Sequence, residues 1–101
     1  MKSMLIAGLG LALAAASAEE AGAYTGQNLA VQAKVTLAHA RTIALKARPG
    51  KIADQELERE KGGSGLRYSF DVKTRQGVWE VGVDARTGAV LENSKEGAHP
   101  D

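Results

Sequence analysis

The chain has 101 residues, with 13 Lys and Arg against 12 Asp and Glu, two His and no Cys. That length holds one small domain. Mixed charge without a basic block argues against a nucleic-acid surface, and the lack of Cys excludes a disulfide framework or a thiolate metal site.

The N-terminus reads as a targeting segment. Lys2 supplies a positive charge, and residues 4–16, "MLIAGLGLALAAA", follow without another. Two small-residue sites come next, Ala16-Ser17-Ala18 and Ala21-Gly22-Ala23. Charge, short apolar run and small-residue site in that order are the pattern of a secretory signal peptide. The run is shorter than the ~20 residues that span a bilayer. Residues 1–23 are therefore assigned as a signal peptide cut after Ala18 or Ala23, which makes the protein periplasmic or secreted with no membrane span left after cleavage. The remainder is near the size at which a single core is marginal. Its stability must come from packing, helped by self-association or by a partner.

Residues 24–35, "YTGQNLAVQAKV", form a lead-in that the pattern leaves open. Leu29, Val31, Ala33 and Val35 alternate like a strand, yet Gln, Ala and Lys suit a helix. Residues 36–47 are clearer. Thr36 can cap a helix, and Leu37, Ala40, Ile43, Ala44 and Ala47 recur at spacings of three and four, which makes one apolar stripe. Pro49-Gly50 stops it. The alanines let the helix lie close to a sheet.

A Glu-rich segment follows, suited to a sheet edge because charge there discourages stray pairing. Gly62-Gly63-Ser64-Gly65 reads as a flexible turn. Residues 66–73, "LRYSFDVK", alternate strictly, with Leu66, Tyr68, Phe70 and Val72 on one face, the mark of a strand packed on one side and wet on the other. Residues 74–77 make a turn. In "VWEVGVD" Trp79, Val81 and Val83 share one face, and that parity favours the core for Trp79 over a binding anchor. A short strand is expected at 89–92, with residues 93–101 as a polar tail. Stacking the helix stripe on the apolar sheet face gives an α+β fold with two layers: one main helix packed on a three- to four-stranded antiparallel sheet.

The link "DARTG" at 84–88 fits a hairpin turn. Asp84 can accept from nearby backbone N–H groups, Thr87 lies inside the turn, and Gly88 can take a positive φ. A calcium loop needs several oxygen ligands at fixed spacing, and this link has one carboxylate. On that reading Asp84→Asn is mild, since asparagine keeps an acceptor.

A helix ending in "ALKARPG", a Glu-rich strand, "LRYSFDVK" and then "WEVGVDARTGAVLE" resembles the PepSY domain family. The correspondence runs through Ala40, Ala44, Pro49, Gly50, Tyr68, Val83, Asp84, Thr87, Gly88 and Val90, and sets the domain at 36–92. The resemblance implies a non-catalytic module, of the kind found in propeptides of thermolysin-like proteases, that binds or restrains peptidases. It carries over no catalytic set.

The residues themselves agree with a non-enzyme. A triad needs a positioned base, but His39 falls on a helix and His99 in the tail. Two separated histidines without cysteine make a poor zinc set. No catalytic, cofactor or metal residues are assigned. Glu56, Glu58 and Glu60 share a strand parity. They form either an acidic stripe for a basic partner or cation, or, as surfaces usually do, a solvated face balanced by Arg67 and Lys73. Glu56, Glu58, Arg67 and Asp71 are the candidates for partner binding. The partner is expected to be a protein, with a peptidase the leading class. The alternative is a structural or ligand-sensing envelope protein without a protease partner.

Overall fold

A computed structural model describes residues 23–97; the signal-peptide assignment at 1–23 therefore falls almost wholly outside the described residues. A 3-10 helix, Gln27–Gln32, leads to helix α1, Leu37–Ala47, and then to strands β1, Lys51–Arg59, β2, Leu66–Thr74, β3, Gly77–Asp84, and β4, Val90–Lys95. The strands make one antiparallel sheet in chain order, β1-β2-β3-β4. Helix α1 covers one face, which gives a two-layer α+β domain.

The lead-in becomes a 3-10 helix because of one contact. Gly26 adopts φ 85, and a Cβ on it would lie 1.7 Å from the Leu57 carbonyl oxygen. The chain thus passes directly over β1, and the Leu57 N–H donates to the Thr25 carbonyl at 2.9 Å. Leu29, Ala30 and Ala33 then turn toward the core, while Val31 stays 89% exposed.

Helix α1 begins where Thr36 accepts from the His39 N–H at 3.1 Å. It buries Leu37, Ala40 and Ala44 against the sheet. Arg48 leaves the helix with an extended backbone, as the residue before a proline must. On the sheet side the core is Leu57, Leu66, Tyr68, Phe70, Val72, Val81 and Val83. Ile52 and Leu57 have opposite parity in β1 yet both pack on this face. A register shift between Ile52 and Asp54 resets the alternation, the geometric effect of a β-bulge.

Two positions differ from the expected pattern. Trp79 shares the parity of Val81 and Val83 but is only half-buried. The Arg48 guanidinium lies 3.5 Å over its ring, a cation–π contact at the rim of the core. Strand β4 runs on to Lys95 rather than ending at 92. Asn93, expected to open the tail, pairs with Val81 in the ladder. Its side chain accepts from Arg48 Nε and donates to the Ala47 carbonyl, both at 3.2 Å. Asn93 thereby ties the end of α1 to the sheet.

Buried Tyr68 carries one polar atom into the core. Its hydroxyl donates to the Val35 carbonyl at 2.7 Å, and burial, with Tyr24 nearby, pushes the phenol up to about 12. Tyr68→Phe keeps the ring and loses the bond. It is expected to cost about 1 kcal/mol, seen as a lower urea midpoint at unchanged slope.

Candidate functional site

Two groups of polar residues stand out. The first is the corner where β3 ends. Asp84 is 1% exposed. Its Oδ1 accepts from the Ser64 hydroxyl at 2.8 Å and from the N–H groups of Arg86 and Thr87 at 2.8 and 3.0 Å. Its Oδ2 accepts from the Ser64 N–H at 2.6 Å. Burial alone would raise this carboxyl. The donors from Ser64, Arg86 and Thr87 outweigh it and hold the group well below the usual carboxylate range. Gly88 takes φ 83 and its N–H returns to the Asp84 carbonyl. Thr87 Oγ1 accepts from the Ala89 N–H at 3.2 Å.

With both oxygens engaged by donors, Asp84 acts as a clamp between the β1–β2 loop and the β3–β4 turn. Gly63 makes room for it: at φ 54, a Cβ there would lie 2.2 Å from Asp84 Oδ2. Sequence reading found Asp84 but not Ser64. The two are 20 residues apart, and no local pattern joins them.

The second group lies on the sheet face opposite α1. Cross-strand register places Asp54 against Asp71, Glu56 against Ser69, and Glu58 against Arg67. It also sets Asp71 against Glu80, and Gly82 against Glu92. Glu56, Glu58, Arg67 and Asp71 therefore share one face. Glu60 does not join them, because β1 ends at Arg59.

The balance expected from Arg67 and Lys73 is not what forms. Arg67 turns from Glu58 to Glu92, at 3.3 Å, and also donates to the Lys61 carbonyl. Lys73 faces Lys51. Glu58 instead accepts from the Ser69 hydroxyl at 2.8 Å. Glu80 and Glu96 add to the acids: one carboxylate oxygen from each lies within 4.8 Å of the others and of Asp71.

Three of these acids, Glu56, Asp71 and Glu80, hold their protons more tightly than usual. Glu56 is raised by burial and then by Glu58, Asp54 and Asp71. Asp71 is raised by burial and then Asp54. Glu80 is raised by burial and then by Glu92, Asp71, Glu96 and Glu58. Sequence reading missed Glu80 and Glu96 because Glu80 lies on β3 and Glu96 just past the end of β4. Their only signal is a parity that the β2–β3 and β3–β4 registers bring onto the face of Asp71.

One helix on one side and an open polar sheet on the other define a small α+β module whose broad free surface is the sheet. Residues 34–93 match the model of the PepSY family, described as "Peptidase propeptide and YPEB domain". The chain belongs to that family. Comparison with curated proteins and with solved structures returns no match. Among the described residues, no helix is long and apolar enough to cross a membrane.

Proposed function

We propose that this protein is an exported, non-catalytic module that restrains or modulates a peptidase, docking through the open sheet face that carries Glu56, Glu58, Arg67 and Asp71. The observation that carries the reading is the family match over residues 34–93, whose description names a peptidase propeptide. The uncovered sheet face supports it, because a face free of its own helix is available to a partner. Export is supported by the order of charge, apolar run and small-residue site in residues 1–23.

Two measurements test it. N-terminal sequencing of the exported protein is expected to begin at Glu19 or Tyr24; intact Met1 in a membrane fraction would overturn the export half. For the partner, the processed protein is immobilised and exposed to envelope extract. A retained peptidase is expected to hydrolyse a peptide substrate more slowly when the domain is added in excess. If hydrolysis by every retained peptidase were unaffected, the peptidase half would fail.

A further inference from the structure

The open face opposes like charges twice. Lys51 faces Lys73, and Asp54 faces Asp71. Directly opposed like charges destabilise an antiparallel pair, and opposite charges stabilise it. Exchanging Asp71 and Lys73 would convert both repulsive pairs into attractive ones, so this arrangement is not the one that best stabilises the free domain. Proteins accept such local costs where a surface serves a partner.

The charges also fall into two blocks. Lys51 and Lys73, with Arg75 in the next turn, border a hollow of about 590 Å³ beside Pro49 and Gly50. No ion pair among the described residues neutralises these three. Next to them stands the anionic block of Asp54, Glu56, Asp71, Glu80 and Glu96. Four strands at ~4.8 Å spacing make the face too broad for a single small ion to satisfy.

We propose that the open sheet face docks a partner polypeptide of complementary two-block charge, with lysines or arginines over the Asp54–Asp71–Glu80 block and a carboxylate over Lys51, Lys73 and Arg75. This rests on the docking face named above and specifies the chemistry that face recognises. The argument for this occupant is charge complementarity. A second copy related by a two-fold axis between the blocks would also set cations on acids, so sedimentation of the free protein decides between that occupant and a separate partner. A copy presenting its helical layer would bring cations, since residues 24–50 contain Lys34, Arg41, Lys46 and Arg48 and no acid, but that layer has no carboxylate to offer the cationic block.

The test is calorimetric titration of the processed protein with three synthetic peptides: one with a lysine block followed by a glutamate block, one of lysine only and one of glutamate only. The two-block peptide is expected to bind most tightly, and its affinity to fall as salt rises. Asp71→Asn with Glu80→Gln should weaken it about tenfold. Lys73→Gln should remove its advantage over the lysine-only peptide. Thermal melts read the other half of the argument. Asp71→Asn is expected to raise Tm while binding falls, and Glu60→Gln, beyond the end of β1, to change neither. Equal binding of the two-block and lysine-only peptides would overturn the proposal. So would a lowered Tm in Asp71→Asn, or sedimentation showing the face occupied by a second copy. Peptide binding is read without any peptidase, so this proposal and the peptidase reading can fail separately.

Discussion

Phe70→Ala is expected to lower the unfolding free energy by about 3–5 kcal/mol. Phe70 is fully buried in the middle of β2, between Gln55 on β1 and Val81 on β3. Its ring stacks with that of Tyr68 at a centroid distance of 6.3 Å. The layer above it includes Ala40 and Ala44, also fully buried. Alanines already bring α1 close to the sheet, and Asn93 and Arg48 pin its C-terminal end. The helix therefore has little freedom to settle into the space a truncated side chain leaves, and the cavity term adds to the lost transfer energy. A domain of this size has a total stability of roughly 4–11 kcal/mol, so the variant should be largely unfolded in modest urea. Phe70→Leu keeps most of the volume and should cost less than about 1.5 kcal/mol. A urea midpoint for Phe70→Ala equal to that of the wild type would remove Phe70 from the core.

The parts of the fold legible in the sequence are those whose pattern is local. Strand β2 alternates without interruption, and the stripe of α1 lies between a capping threonine and Pro49. What could not be read depends on contacts between distant segments. The bulge after Ile52 shows only as a parity conflict between Ile52 and Leu57. The 3-10 lead-in follows from Gly26 touching the Leu57 carbonyl. Strand β4 extends through Asn93, a poor strand former alone, because its side chain meets the end of α1. The open face was half legible: parity grouped Glu56 with Glu58 and Arg67 with Asp71. Only the register shows that Lys73 opposes Lys51, and only the side-chain geometry that Arg67 turns to Glu92. These two facts change the face from a balanced surface into one where Arg67 pairs with Glu92 while Lys51 and Lys73, and Asp54 and Asp71, stay opposed.

Asp84→Asn should be severe, not mild as the turn chemistry alone suggests. Ser64 presents its N–H to Oδ2 and its hydroxyl to Oδ1, and Arg86 and Thr87 present N–H groups to Oδ1. Asparagine must replace one acceptor with an NH2 donor. In one orientation that donor meets the Ser64 N–H; in the other it meets the donors at Oδ1. Either way a backbone N–H loses its acceptor on the buried Asp84 side chain, and the anion that strengthened the remaining bonds is gone. The expected cost is about 3 kcal/mol, against about 1 kcal/mol for Ser64→Ala, which removes only the hydroxyl donor.

The pH dependence has a definite sign. The Asp84 carboxyl is held below its unfolded value, so its contribution is complete above about pH 4 and is lost as pH falls further. Glu56, Asp71 and Glu80 are shifted the other way. Burial, and then repulsion from neighbouring acids, disfavours their charged forms; that cost is present above the ordinary carboxylate range and is relieved on mild acidification. The wild type should therefore gain slightly in stability as pH drops toward 5 and lose it steeply below 4, while Asp84→Asn should lack that steep acid limb. Calcium provides the opposing outcome. Because both Asp84 oxygens are already engaged by N–H and O–H donors, added calcium should shift the melting temperature of the wild type no more than that of Asp84→Asn. A calcium-dependent rise present in the wild type and absent in Asp84→Asn would make this corner a cation site and overturn the clamp.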